Sequence, residues 1–189
     1  MICLNTRKAL YTLLGGVIVM AAETIKNTQE QLTDYRENKQ IEEPNRGMLD
    51  NISPILYAFG WLIVSYAIAS DSEGRLSMQP KTYLSFATAA GIVMSVMQMK
   101  KLMKDTDREI PIHLPLIFSG CWLILGYAAG MGRPGINRLL GLLAAGMVIS
   151  SVFVMLPWQR EKQVVDGPGK DLFTMAWGAL TLANSIIIN

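Results

Sequence analysis

The chain has 189 residues, 51% of them apolar, with only 17% charged and a formal net charge of +2. That length is one domain's worth, and a near-neutral balance without a polybasic block argues against nucleic acid as a partner. Two cysteines, Cys3 and Cys121, cannot make a disulfide framework. Most of the charge is confined to segments between apolar runs, unlike a soluble helical bundle, whose exposed faces carry charge every few residues.

The uncharged runs are roughly 9–22, 52–70, 82–99, 112–131, 139–158 and 172–188. A hydrocarbon core about 30 Å thick needs about 20 apolar helical residues, with about 17–25 tolerated. Five runs meet that length. The first is shorter and borrows 23–25 at one interface, with Arg7 and Lys8 reaching the other. Its basic pair, short apolar stretch and Ala21-Ala22 also have the form of a secretory signal peptide. Kept as a span, it brings the number to six and puts residues 1 and 189 on one side. The expected fold is all-α, a single integral membrane domain built as a polytopic bundle of six transmembrane helices.

The first loop, 23–43, is rich in Gln, Glu, Lys and Asn and lacks Gly and Pro. It predicts that the first helix continues to about residue 42 and ends before Pro44. Such a helix is about 50 Å long at 1.5 Å per residue, with half of it outside the bilayer. Leu32, Tyr35, Arg36 and Lys39 on this polar arm are the candidate partner contacts. The second and fourth spans open on Pro54 and Pro115, where a missing N–H costs nothing. The third runs on through Lys100-Lys101-Leu102-Met103-Lys104 towards Pro111. Gly74 and Pro80, Gly132-Arg133-Pro134-Gly135, and Gly167-Pro168-Gly169 mark turns.

Internal similarity organises these elements. Pro54-Ile55-Leu56-Tyr57-Ala58-Phe59-Gly60-Trp61-Leu62-Ile63 reappears as Pro115-Leu116-Ile117-Phe118-Ser119-Gly120-Cys121-Trp122-Leu123-Ile124, and Tyr66-Ala67 matches Tyr127-Ala128. A weaker third copy centres on Ala176-Trp177, with Ala183 in the alanine position. Ahead of the second and third copies, Ala89-Ala90-Gly91 matches Ala144-Ala145-Gly146 at an offset of 55, the separation of Trp122 and Trp177. The pattern predicts three two-helix hairpins, about 9–70, 82–131 and 139–188.

Helices in lipid associate through close approach at small residues. Gly126-xxx-Gly130 is a literal GxxxG, and Gly91 and Gly146 belong to small-xxx-small pairs, so Gly91, Gly126, Gly130 and Gly146 are assigned to helix packing. Trp61, Trp122 and Trp177 lie deeper in their spans than an interfacial belt places tryptophan. They read first as packing knobs, each between the two helices of its own hairpin; the alternative is convergence on a pseudo-threefold axis.

Chemistry is sparse. Intramembrane ionisable groups are the usual pointers to transport or catalysis, and the runs hold none but His113, beside Pro111 and Pro115 at a span entrance. No nucleophile–base pair, carboxylate pair, metal-ligand cluster or phosphate loop is visible, so no enzyme, cofactor or metal is expected. Lys and Arg number eleven in the loops within hairpins and six on the opposite side. That excess favours the cytoplasm for the intra-hairpin loops, although these loops are longer and the charge density hardly differs. The expected function is a non-enzymatic structural subunit of a larger membrane-associated assembly, an organellar complex or the membrane layer of a viral capsid. Its partners are the bilayer and other subunits, met through loops 23–51, 100–113 and 157–171. The alternative is a channel or transporter for a small uncharged solute, lined by Ser65, Gly126, Thr181 and Asn184.

Overall fold

The computed structural model describes the backbone of residues 2–39, 49–103, 111–133, 135–160 and 168–188. It describes their side chains except at 2, 25–39, 49–51, 103, 152–160, 168–170 and 188. Six helices account for nearly all of it: α1 (Thr6–Lys39), α2 (Leu49–Ala69), α3 (Pro80–Met103), α4 (His113–Ala129), α5 (Gly135–Arg160) and α6 (Pro168–Ser185). The class is all-α. Among the described residues two stretches rather than the expected six, Ile52–Ala69 and Pro80–Leu102, are long and apolar enough to cross a membrane; His113–Ala129 and Gly135–Ser151 are apolar but shorter.

Arg- and Lys-rich in its first turn and free of Gly and Pro beyond Gly16, α1 runs unbroken for 34 residues, about 51 Å. Pro54 does not open α2, as expected, but sits inside it, because Leu49 to Ser53 already form helix. Its missing N–H falls within the second turn, and the Ser53 hydroxyl nearby donates to Ala22 O on α1 (2.9 Å). At the other end of that pair, Lys8 near the start of α1 donates to carbonyls at the end of α2, so the two helices run antiparallel.

Each helix packs against its neighbours in sequence, and α1 packs against α6, which closes the six into a ring. Two short strands fasten the seam. β1 (Ile2–Leu4) pairs antiparallel with β2 (Ile186–Ile188), with Ile2 opposite Ile188, Cys3 opposite Ile187 and Leu4 opposite Ile186. Asn5 N–H donates to Ser185 O (2.7 Å) just inside the strands. The even helices α2, α4 and α6 also meet one another across the middle.

Large apolar side chains cover the outside. Leu10 and Val17 on α1, Ile55 and Phe59 on α2, Met94 on α3, Leu116 on α4, Leu139 on α5 and Met175 on α6 are all more than half exposed. The buried set is smaller in volume, with Ala67, Ala128, Ala129, Ala144, Ala145, Ala176 and Ala183 almost fully enclosed around a few large rings. Water-soluble proteins put their bulk inside and scatter exposed apolar residues singly; here the bulk is shared between centre and perimeter.

Candidate functional site: a tryptophan cluster between the even helices

Buried positions on the even helices follow one spacing. Counting from tryptophan, offsets 0, 3, 4, 6, 7 and 8 are buried on all three: Trp61, Val64, Ser65, Ala67, Ile68 and Ala69; Trp122, Leu125, Gly126, Ala128, Ala129 and Gly130; Trp177, Leu180, Thr181, Ala183, Asn184 and Ser185. These offsets fall on one helical face. That face points to the common centre, and the tryptophans meet there. Ring centroids are 5.3 Å apart for Trp61–Trp122, 5.4 Å for Trp61–Trp177 and 5.6 Å for Trp122–Trp177. Two contacts are edge-to-face and one is tilted by 42°, the arrangements that the aromatic quadrupole favours. The tryptophans therefore form one mutual cluster rather than three separate knobs inside three hairpins.

One turn before each tryptophan stands another aromatic residue: Tyr57, Phe118 and Phe173. Each rests on its own tryptophan at 6.4, 6.5 and 6.1 Å, and Phe173 also reaches Trp122 at 6.5 Å. This second tier was not foreseen, although an aromatic residue stands four positions before each of these tryptophans in sequence. On the other side of the tryptophans come Val64, Leu125 and Leu180, all fully buried. The three indole Nε1 atoms are buried without a hydrogen-bond partner among the described groups. Neighbouring π faces offer such donors a weak acceptor.

Small residues set the helix distances, and they sort the assigned glycines. A Cβ on Gly126 would lie 2.2 Å from Gly141 O, and one on Gly141 would lie 2.0 Å from Gly126 O, so α4 and α5 touch backbone to backbone. Gly91 admits Cys121 Sγ at 2.6 Å from its absent Cβ, and Gly130 ends α4 against the backbone of Arg138. Gly15 and Gly60, which belong to none of the assigned motifs, make a second, less tight crossing between α1 and α2, with each one's carbonyl oxygen 2.9–3.0 Å from the other's Cβ position. Gly146 is the correction: it is exposed and nothing lies within 4 Å of its Cβ position.

The buried stripe of the odd helices explains that outcome. It runs Lys8, Thr12, Gly15, Gly16, Val19 and Ala22 on α1; Ser85, Thr88, Ala89, Ile92 and Ser95 on α3; and Asn137, Gly141, Ala144, Ala145, Val148 and Ser151 on α5. Half-buried Lys81 completes the α3 stripe at the position of Lys8 and Asn137. The offset from α3 to α5 is then 56, so Ala89 corresponds to Ala145. The match of Ala89-Ala90-Gly91 to Ala144-Ala145-Gly146 is out by one residue, which turns Gly146 about 100° away from the buried face.

At the end where α1, α3 and α5 begin, the interior is polar. Lys8 Nζ donates to Ala67 O (3.1 Å) and to Ser70 O, closing the last turn of α2. Asn137 Nδ2 donates to Ala183 O and Ile186 O (both 2.9 Å), closing the last turn of α6. These are the same two positions, six and nine residues after tryptophan. Cations and donors belong at helix C-termini, where carbonyls lack partners and the dipole is negative. Asn184 Nδ2 bridges to Thr12 Oγ1 and Ala67 O (both 3.0 Å), tying α6 to α1 and α2 across the seam. Lys8 precedes the apolar run 9–22. Burial, and then the charges of Lys81 and Arg133, push its ammonium down to about 7, against a smaller opposing pull from Asp71.

The remaining candidate stands apart from the cluster: His113 is exposed at the start of α4. Among the described residues no three His, Cys, Asp or Glu side chains gather into a group that could hold a metal. Leu32, Tyr35, Arg36 and Lys39 lie on α1 beyond the described side chains, as does most of loops 23–51, 100–113 and 157–171. Compared with protein-family models, with curated proteins and with solved structures, the chain matches none.

Proposed function

We propose that the chain is a six-span integral membrane protein of three hairpin copies arranged about a pseudo-threefold axis, acting as a non-enzymatic structural subunit of a larger membrane assembly. The observation that carries this reading is the closed aromatic cluster: three tryptophans on matched positions fill the centre that a solute would have to cross. The residues expected to line a passage have other uses. Ser65 donates to Trp61 O and Ser85 O, Thr181 to Trp177 O, Asn184 to Thr12 and Ala67, and Gly126 lies against Gly141.

The apolar perimeter supports membrane insertion of all six helices. Tilt and snorkelling at the ends accommodate those shorter than about 20 apolar residues. The polar continuation of α1 past residue 22 supplies a surface beyond the bilayer for another subunit. The test is the mass of the particle released from its native membrane by a mild detergent. A particle many times 20.9 kDa, with other polypeptides in fixed ratio, is the expected result. A bare monomer or small homo-oligomer that passes a neutral solute in liposomes would overturn the structural reading in favour of the channel.

A further inference from the structure

The two ends of the bundle differ in charge. In sequence, the segments at the end where α1, α3 and α5 start carry six bases against two acids, Asp71 and Glu73, whereas those at the other end carry eleven against thirteen. Both acids of the basic end are engaged locally. Asp71 Oδ1 accepts the N–H groups of Glu73 (2.9 Å) and Arg75 (2.8 Å), and the Glu73 carboxylate pairs with Arg75 at 2.7 Å. Neither is bonded to the inner bases, Lys8, Lys81 and Arg133.

These three come one from each hairpin or its leading turn, and they feel one another's charge. Lys8 is buried and spends two donors on α2 carbonyls, and Arg133 gives one to Ile186 O at 3.2 Å. Lys81 occupies the position of Lys8 and Asn137 on its own helix, yet among the described residues it makes no hydrogen bond or ion pair. Half-buried like charges with no described acid bonded to them call for an anion from outside. Tyr83, in the first turn of α3 with Lys81, and Ile136 and Leu139, in the opening turns of α5 just after Arg133, present exposed apolar surface, so bases and apolar side chains share this rim.

We propose that Lys81 and Arg133, with Lys8 behind them, bind the phosphate of an anionic phospholipid at this rim. The assignment rests on the membrane reading above. A lipid fits better than free phosphate because its acyl chains would cover the exposed Tyr83, Ile136 and Leu139.

The test uses the full chain purified in a neutral detergent, with lipid adducts counted by native mass spectrometry during titration with phosphatidylglycerol or phosphatidylcholine. Phosphatidylglycerol should bind in preference, and each of Lys81→Gln and Arg133→Gln should weaken it about fivefold, the worth of one surface charge near anionic lipid. Lys101→Gln, an exposed base at the opposite end, should leave it unchanged. Arg133 holds a carbonyl of β2; Lys81→Gln alters no described bond, so it carries the result if the Arg133 variant fails to fold. Equal binding of the two lipids, an unaltered Lys81→Gln, or inorganic phosphate binding as tightly as phosphatidylglycerol would each overturn the proposal. Release of the chain from native membranes by alkaline carbonate without detergent would instead sink the membrane reading on which it rests, and it is scored separately.

Discussion

Replacing two tryptophans separately and together distinguishes one shared cluster from three independent knobs. Trp61 and Trp122 are 1% and 0% exposed, and truncating a buried aromatic to alanine costs about 3–5 kcal/mol. For a chain of this size that lowers the melting temperature by about 10 °C. Trp61→Ala and Trp122→Ala should therefore cost similar amounts. The double variant should cost less than the sum. The Trp61–Trp122 contact at 5.3 Å is lost in each single variant and so is counted twice; aromatic pairs are worth about 0.5–1.5 kcal/mol beyond burial. Both truncations also open into the same space, which lets the double variant collapse further. The assay is a double-mutant cycle on unfolding in detergent micelles. Additivity within about 0.3 kcal/mol, the usual scatter for unconnected sites, would refute a common cluster.

Three more outcomes follow from the same geometry. Gly126→Ala, forced 2.2 Å from a backbone oxygen, should disrupt the α4–α5 crossing and sharply reduce thermal stability. Gly146→Ala, with open space at its Cβ position, should be neutral or stabilise by up to about 1 kcal/mol through helix propensity; the reverse ranking would reject the burial register. Ile187→Cys places a thiol opposite Cys3 in the β1–β2 pair, so mild oxidation should yield an intramolecular crosslink with altered electrophoretic mobility, and its absence would argue against the clasp. Lys8, held near 7 instead of the usual 10.5, gives up its proton in the folded state before the unfolded one does. Stability should then rise as pH increases from about 7 towards 10.5, and Lys8→Met should flatten that rise in a pH series of melting curves.

Much of the fold was legible because apolar helices joined by polar segments leave a coarse signature. Long uncharged runs, prolines and glycines at their ends, and polar segments between them mark out six helices. The Trp61 and Trp122 segments share proline, Trp-Leu-Ile and Tyr-Ala at equal spacings, so their likeness needed no coordinates, whereas the weaker third resemblance rests on Ala176-Trp177 and Ala183. The aromatic tier at Tyr57, Phe118 and Phe173 was equally present in sequence, but tyrosine for phenylalanine weakens an identity match.

What the sequence determined was therefore the list of helices and which residues on α2, α4 and α6 share a face, since a periodicity of 3.6 is local. What tertiary structure alone decided was how those faces meet. Whether a tryptophan turns to its own hairpin or to the other two depends on crossing and ring closure, which come from backbone contacts such as Gly15 with Gly60 and Gly126 with Gly141. The register of α3 against α5 escaped the sequence for the same reason: Ala-Ala-Gly is common in apolar helices, and only burial chose 56 over 55. Side chains that cap a distant helix, Lys8 on α2 and Asn137 on α6, likewise become visible only when helix ends are brought together, because nothing local distinguishes a capping lysine from a solvated one.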